Sequence, residues 1–180
     1  MKSLAIAAAL LVFCAAPPAL AHGPSRQKVI EAIEIDRPPE KVWDVIQHFD
    51  SLAKWHPAVE SSVADKGDEV GSTRTVVLKG LESRSFVETL DKYDAAGHSY
   101  KYYIEKVDPK ILPVNDYAST IKVTGNGKGG SIVLWQGAFY RGYMLNDPPP
   151  ELNDASSVGA IVKVYRAGLE NLKNIAESVP

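Results

Sequence analysis

The sequence predicts an α+β fold in which a curved antiparallel sheet of seven strands closes around one long C-terminal helix. The helix is predicted because apolar residues recur at three- and four-residue steps from Asn153 to Val179, the period of a single buried stripe. The sheet is predicted because residues 59–140 alternate between short strand-like segments and turn residues such as glycine and proline. No internal repeat or linker divides the chain, so one domain is expected.

The N-terminal residues have the pattern of a secretory signal peptide. Lys2 supplies a short basic start, Leu4 to Ala16 is an apolar run, and Ala19-Leu20-Ala21 has the small-x-small form of a signal-peptidase site. We therefore expect residues 1–21 to be removed and residues 22–180 to form the mature domain. This predicts export to the periplasm without membrane insertion, because no later segment approaches the roughly 20 apolar residues of a membrane span.

The composition of the mature chain argues against two classes of partner. Removal of Lys2 leaves 19 basic residues against 22 acidic ones, a net charge of −3, and no basic run occurs. Nucleic acid and anionic membrane surfaces are therefore not expected as partners. The only cysteine, Cys14, is lost with the leader, so we expect no disulfide and no thiol chemistry.

A strand and two short helices are predicted ahead of the main run of strands. Lys28–Ile35 alternates as a strand does, and Pro39 then opens a helical stripe from Glu40 to Phe49, followed by a short helix at Ser51–Trp55. Six further strands are predicted at Val59–Ala64, Ser72–Lys79, Ser83–Tyr93, Ser99–Val107, Tyr117–Thr124 and Ser131–Tyr140. Hairpin connections between strands of this length favour one antiparallel sheet.

The start and the composition of the terminal helix carry two further expectations. Pro148-Pro149-Pro150 cannot continue a helix, so the helix begins after them, with Asn153, Asp154 or Ser156 as the capping residue. Gly159 and Gly168 each cost about 1 kcal/mol against alanine inside a helix. Either they allow close packing against a strand, or they leave room for a molecule bound between helix and sheet.

The hairpin from Gly71 to Leu90 contains the strongest candidate for chemistry. If its turn is centred on Leu81, Arg74 lies opposite Glu88 and Val76 lies opposite Phe86. The face with Val76 and Phe86 is the more apolar, so Arg74 and Glu88 would form a charged pair inside the concave side of the sheet. Such a pair is suited to orienting a ligand or moving a proton. The alternative is a partly solvated salt bridge, and a shift of the turn by one residue would send one partner outward.

Aromatic residues are predicted to gather on the same face. Tyr102, Tyr117 and Trp135 stand at alternating strand positions that face the helix. Either they are core residues, or their polar tips line a cavity. Trp55 and His56 lie at the mouth of the predicted sheet, where His56 would serve as a structural hydrogen-bonding group or as a proton carrier near neutral pH.

Metal and cofactor sites are not expected. His22, His48 and His98 lack ligand spacing such as H-x-x-x-H, and the remaining option is copper at a mature N-terminal His22 with a second histidine nearby. There is no G-x-S-x-G, no cysteine nucleophile in the mature chain and no glycine-rich phosphate loop after a strand.

Several short motifs resemble those of a known superfamily. The motifs are Phe49, Leu52, Trp55-His56-Pro57, Gly67, Val70-Gly71-Ser72-Thr73-Arg74, Glu88, Ile111-Leu112-Pro113-Val114, Tyr117, Trp135, Tyr165 and Gly168-Leu169. Over about Lys28 to Ser178 the chain resembles the polyketide cyclase/dehydrase branch of the SRPBCC (START-like) superfamily. This resemblance implies the helix-grip fold, in agreement with the pattern of strands and helices.

The resemblance also implies function. Trp55, Pro57, Gly67, Gly71, Arg74 and Glu88 are similar to the plant lachrymatory-factor-synthase relatives, which implies that Arg74 and Glu88 carry chemistry. Trp-His-Pro and Leu-Pro-Val-x-x-Tyr in an exported chain are similar to the MxaD type of periplasmic accessory protein of methanol oxidation, which implies methanol dehydrogenase or its cytochrome c as a partner.

Three hypotheses follow from the residues and the resemblance together. In the first, the protein is an accessory factor of methanol or alcohol oxidation whose cavity holds a small hydrophobic ligand. The residues expected to bind that ligand are Trp55, His56, Val76, Phe86, Tyr102, Tyr117 and Trp135. In the second, it is a cyclase or isomerase in which Arg74 stabilises an oxyanion and Glu88 moves a proton, assisted by Tyr102 or His56. In the third, it is a carrier of lipids or other small hydrophobic molecules.

Overall fold

A computed structural model describes residues 23–80 and 84–178, and the elements occur in the predicted order. The strands are β1 (Gln27–Ile35), β2 (Val59–Ala64), β3 (Thr73–Leu78), β4 (Ser85–Asp94), β5 (Ser99–Ile104), β6 (Val114–Gly125) and β7 (Ser131–Arg141). The helices are α1 (Pro39–Ile46), α2 (Leu52–Trp55) and α3 (Asp154–Ser178), with 3₁₀ turns at Phe49–Ser51 and Pro150–Leu152. The predicted leader, including Cys14 and the cleavage after Ala21, lies outside the described residues, as do Leu81, Ser83 and Val179.

The seven strands form one antiparallel sheet in the order β1-β7-β6-β5-β4-β3-β2. The register predicted for the β3–β4 hairpin is confirmed, because Arg74 pairs with Glu88 and Val76 with Phe86. Val76 and Leu90 are fully buried and Val87 is exposed, so the predicted inward face is also confirmed.

The α3 helix packs along the concave side of the sheet against β1 and β7. Its most buried positions, Ile161, Tyr165, Leu169 and Leu172, belong to the predicted apolar stripe. Asn153 is the capping residue, since its side-chain oxygen accepts a hydrogen bond from the Ser156 amide at 2.9 Å. On the outer side of the helix, Arg166 bonds Glu31 and Lys173 Nζ bonds the Glu34 carbonyl, which fixes α3 to the edge strand β1.

The two helical glycines have different environments. A Cβ atom at Gly168 would lie 2.7 Å from His56 Cδ2 and 2.8 Å from Trp135 Cζ3, so this position is a close contact between the helix and aromatic rings. Gly159 is exposed and has no atom within 4 Å of an added Cβ. Neither interpretation given for Gly159 fits, since it contacts no strand and adjoins no cavity.

Three predicted boundaries differ from the structure by three residues. The strand predicted as Ser99–Val107 ends at Ile104. The predicted helix Glu40–Phe49 ends at Ile46, because the chain turns so that the Phe49 amide donates to Asp68 Oδ1 at 2.6 Å. The strand predicted to start at Tyr117 starts at Val114, and a bulge between Asn115 and Ala118 holds Asp116 at φ +47°. The extra residue lets Val114 and Tyr117 both face the core, which strict alternation would forbid.

Candidate functional site

A cavity of about 110 Å³ lies between α3 and the concave face of the sheet. Its walls are almost entirely apolar, and six strands, two helices and two loops contribute to them. The lining residues are Leu52, His56, Ala58, Val59, Val76, Leu78, Phe86, Glu88, Tyr102, Ile104, Ile111, Leu112, Tyr117, Trp135, Ile161 and Val164. Glu88 is the one acidic residue among them, so the part of the cavity wall formed by the described residues is apolar with a single carboxyl group.

Most of the predicted site residues come together at this cavity. Glu88 and the predicted ligand-binding residues His56, Val76, Phe86, Tyr102, Tyr117 and Trp135 all line it. Arg74 and Trp55 are buried beside it but do not line it. The structure thus places the carboxylate of the predicted pair at the cavity wall and the guanidinium outside the cavity.

Arg74 and Glu88 form a buried ion pair. Arg74 is 1% exposed and Glu88 is 4% exposed, and Arg74 Nε donates to Glu88 Oε2 at 2.5 Å. Arg74 Nη1 donates to the carbonyl of Phe49, and the guanidinium carbon lies 4.2 Å from the Phe49 ring centre and 5.0 Å from that of Tyr102. The alternative of a partly solvated salt bridge does not fit, because both side chains are removed from bulk water. Arg74 is held on every side by protein groups.

Burial raises the pKa of Glu88 above its ordinary value, and the neighbouring Arg74 charge offsets this only in part. A carboxylate in a low-dielectric environment loses hydration that one hydrogen bond does not replace, which favours the protonated form. Arginine stays protonated in proteins, so Glu88 is the member of the ion pair that takes up or releases a proton.

His56 is a structural hydrogen-bonding group. Its Nε2 lies 3.0 Å from the Val164 carbonyl and its Nδ1 accepts from the Ala58 amide at 3.3 Å, so Nε2 carries the proton. Burial lowers the pKa of His56, which keeps the ring neutral. With both nitrogens engaged, the ring links α2 to α3, and the arrangement leaves no free nitrogen for the proton-carrier role.

Tyr117, Ser119, Trp135, Tyr165 and Tyr102 form a second polar group, here called the hydroxyl cluster. Ser119 Oγ donates to the Gln136 carbonyl at 2.9 Å, so it must accept from Tyr165 at 2.8 Å, and Tyr165 in turn accepts from Tyr117 at 2.7 Å. Trp135 Nε1 donates to both Ser119 Oγ (2.9 Å) and Tyr102 Oη (3.1 Å). Burial raises the pKa of each of the three tyrosines, so their hydroxyls stay protonated.

Gly168 explains how the rings beside the cavity stack. Trp135 lies flat on Tyr165, with ring centres 4.4 Å apart, and meets Trp55 edge-on at 5.3 Å. The absence of a side chain at Gly168 leaves space for these rings and for His56. Trp55 therefore contributes to the site by supporting Trp135.

Several lining residues were not identified from the sequence. Ile111 and Leu112 come from the loop between β5 and β6, and Ile161 and Val164 come from one face of α3. Two consecutive apolar residues between Pro109 and Pro113 are a detectable signal, because an otherwise polar loop has little reason to carry them unless they point inward.

Searches for a metal site and for a membrane span gave nothing within the described ranges. Residues 23–80 and 84–178 contain no group of three or more His, Cys, Asp or Glu side chains placed to hold a metal ion. In the same part of the chain, no helix combines the length and the apolar character needed to cross a bilayer.

Comparison with protein families gives a match over nearly the whole described chain. Residues 26–177 match the model of the family described as polyketide cyclase / dehydrase and lipid transport. The abscisic acid receptor PYL10 of Arabidopsis thaliana is 32% identical over 105 residues, which is 56% of this chain and 56% of the receptor. The chain thus spans about half the length of that curated relative.

Solved structures share the fold. Protein XoxI from Bacillus cereus is 26% identical, with a TM-score of 0.70 over 84% of this chain and 96% of that one. An uncharacterised protein from Bacillus thuringiensis is 25% identical, with a TM-score of 0.69 over 84% of this chain and all of the other. Norcoclaurine synthase from Thalictrum flavum, at 16% identity and a TM-score of 0.65 over 88% of this chain and 98% of that one, shares the fold alone.

Proposed function

The chain belongs to the polyketide cyclase/dehydrase and lipid transport family, a branch of the SRPBCC superfamily, and we propose that it binds a small, largely apolar ligand in the cavity beneath α3. The observation that carries this proposal is the open volume itself. Protein cores normally pack to the density of organic crystals, yet apolar side chains here surround about 110 Å³ of free space. The relative named as an abscisic acid receptor supports a binding role, since its name describes recognition of a small molecule.

The size of the cavity limits the ligand. A cavity of about 150 Å³ is enough to bind benzene in an engineered protein, and drug-sized ligands occupy about 300–1,000 Å³. The 110 Å³ found here suits a molecule with one ring or a short chain. This volume favours a small ligand over the lipid cargo of the carrier hypothesis.

Filling the cavity tests the binding role. Leu112→Trp adds a large ring at a partly buried cavity position on a loop, and Leu145→Trp makes the same change at an exposed position, 68% accessible, on another loop. We expect Leu112→Trp to lose ligand binding, measured by calorimetry and native mass spectrometry, while keeping the wild-type unfolding midpoint, since it fills space that costs stability when empty. Equal binding by both variants would contradict a ligand site in this cavity.

Catalysis is the second candidate function, and the position of Glu88 favours it. Glu88 lines the cavity, its pKa is raised by burial, and a carboxyl group with a raised pKa suits proton transfer near neutral pH. Arg74 is enclosed by protein groups, so in this arrangement the proton-moving role of Glu88 has more support than an oxyanion-stabilising role of Arg74. Loss of turnover of a candidate substrate in Glu88→Gln, with turnover retained in the exposed-site control Glu60→Gln, would support it.

The proposal extends to an exported accessory role in methanol or alcohol oxidation. Its support is the similarity of Trp55-His56-Pro57 and of Leu112-Pro113-Val114 with Tyr117 to the MxaD type, together with the signal-peptide pattern. Methanol dehydrogenase or its cytochrome c would then be the partner. Electron transfer from the dehydrogenase to the cytochrome, followed with and without the protein, should be faster with it. An unchanged rate would count against the pathway and leave the ligand-binding proposal intact.

Export to the periplasm can be tested separately, by cell fractionation and intact-mass measurement. We expect the protein in the periplasmic fraction, with an intact mass that corresponds to a chain beginning at His22. A cytoplasmic chain that retains Met1 would contradict both export and the periplasmic pathway.

A further inference from the structure

The ion pair leaves one hydrogen-bonding position unused. Oε2 of Glu88 accepts from Arg74 Nε, whereas no donor to Oε1 occurs within residues 23–80 and 84–178. Glu88 is 4% exposed and lines the cavity, so the small accessible part of its carboxyl group faces the cavity space. An ionised carboxylate has about four acceptor positions, and a buried one is costly to leave unsatisfied.

The hydroxyl cluster does not supply the missing donor. Its three defined protons are directed from Tyr117 to Tyr165, from Tyr165 to Ser119, and from Ser119 to the Gln136 carbonyl. This series of bonds ends on β7, which three strands separate from β3 in the sheet, and none of its hydrogen bonds reaches Glu88. With no donor to Glu88 Oε1 among the described residues, the occupant of the cavity is left to supply one.

The charges around the cavity limit what that occupant can be. No lysine or arginine is among the lining residues, and burial, together with the Ala58 amide that donates to Nδ1, keeps the His56 ring neutral. Arg74 already neutralises Glu88, so a carboxylate ligand would bring an uncompensated negative charge into an apolar chamber next to a carboxylate. An ammonium ligand would leave a net positive charge there, which is also costly in a low-dielectric interior.

We propose that the cavity selects neutral ligands that carry a hydroxyl group, with that hydroxyl on Oε1 of Glu88 and the apolar remainder against the aromatic wall. This inference rests on the proposed ligand-binding function and adds the charge class of the ligand. A hydroxyl is both a donor and an acceptor, so it bonds the carboxyl group in either protonation state. A ligand without a polar group would leave Oε1 unsatisfied.

Four compounds of nearly equal size test the inference on the full wild-type chain: benzyl alcohol, toluene, benzoate and benzylamine. We expect benzyl alcohol to bind about tenfold more tightly than toluene, which corresponds to one hydrogen bond to a charged group after its desolvation. Benzoate and benzylamine should bind more weakly than toluene at pH 7. Calorimetry gives the affinities, and fluorescence of Trp135, which lines the cavity, reports occupancy.

Variants then assign the preference to Glu88. Arg74→Met with Glu88→Leu removes both charges together, and it should bind benzyl alcohol and toluene equally. Glu60→Gln, at an exposed position on β2, should keep the tenfold preference. The ligand series on the wild-type protein does not depend on whether the double variant folds.

The outcomes separate this inference from the proposed function. Equal binding of benzyl alcohol and toluene, or tighter binding of benzoate or benzylamine, would overturn the hydroxyl preference while ligand binding stands. Absence of binding by all four compounds would overturn both. A tenfold preference that persists in the double variant would show that Glu88 is not the selecting group.

Discussion

The core contains two polar groups of different kinds, the Arg74–Glu88 ion pair and the hydroxyl cluster. The hydroxyl cluster is neutral and passes its hydrogen bonds in one direction, ending at the Gln136 carbonyl. The ion pair has one short contact between its members, a second bond from Arg74 to the Phe49 carbonyl, and one carboxylate oxygen without a donor. Both groups are buried, but only the ion pair has a carboxylate oxygen without a donor among the described residues.

This difference shows that buried polar residues in one core can have two roles, one in stabilising the fold and one in binding a ligand. A buried network whose members satisfy each other fixes side-chain positions and costs little. A buried carboxylate with an unused acceptor carries a cost that a ligand can relieve. We therefore expect the ion pair to determine which polar group of a ligand is accepted, and the hydroxyl cluster to form the wall against which the ring of the ligand packs.

The largest expected effect is loss of one member of the ion pair. Arg74→Met leaves Glu88 without its counter-charge in an apolar chamber, and we expect a loss of about 3–5 kcal/mol in the free energy of unfolding. Arg74→Met with Glu88→Leu removes both charges and should recover most of that loss, because apolar replacement of a buried pair is often neutral. Urea denaturation measures both. A double variant as unstable as the single one would show that the pair itself stabilises the fold.

A smaller loss in the free energy of unfolding is expected when a member of the hydroxyl cluster is substituted. Tyr165→Phe removes one oxygen. It leaves the Tyr117 hydroxyl without its acceptor and Ser119 Oγ with Trp135 Nε1 as its remaining donor, at a cost of about 1–3 kcal/mol. Tyr103→Phe is the matched control, since Tyr103 is on the outer face of β5 and should change stability by less than about 0.5 kcal/mol. Equal effects of the two substitutions in urea denaturation would contradict a satisfied network.

The smallest expected effect is a difference in pH dependence. The pKa of Glu88 is raised in the folded protein above its ordinary value of 4.5. At any pH between 4.5 and the pKa of the folded protein, the folded state therefore holds a proton that the unfolded state has lost. Stability from Glu88 therefore falls as pH rises from 4.5 through the folded pKa, by at most about 1.4 kcal/mol per pH unit.

Subtraction of the curve of the Arg74→Met, Glu88→Leu double variant from that of wild type isolates this contribution, since other titrating groups cancel. The difference in unfolding free energy should decrease between pH 4.5 and the folded pKa, and Tyr165→Phe should run parallel to wild type over that range. A difference that increases with pH would mean that Arg74 outweighs burial and that the folded pKa of Glu88 is lowered.

The sequence was sufficient for the fold and for the ion pair because both depend on short-range patterns. Alternation with a period of two identified all seven strands, and the spacing around Leu81 placed Arg74 opposite Glu88. Cross-strand neighbours follow from register alone once a hairpin is recognised. The same patterns do not give the direction of a long side chain, so the enclosure of the Arg74 guanidinium by Phe49 and Tyr102 could not be predicted.

The sequence placed Tyr102, Tyr117 and Trp135 of the hydroxyl cluster on one face, but their connection through Tyr165 was missed because it forms only after α3 docks. Tyr165 is on the helix, Ser119 is on β6 and Trp135 is on β7, and their contact depends on the rotation of the helix over the sheet. The early start of β6 was missed for a local reason. The bulge at Asp116 breaks the alternation on which strand prediction depends.

Gly168 influences the shape of the cavity through the position of α3. Because Gly168 has no side chain, the rings of Trp135, Trp55 and His56 contact the helix backbone there. These contacts fix the distance between α3 and the sheet. Rigid rings cannot be compressed, so the helix cannot settle further onto the sheet. Val164, one turn earlier and on the cavity wall, is held at the same height. The chamber is therefore preformed, and a ligand enters it without first having to lift the helix.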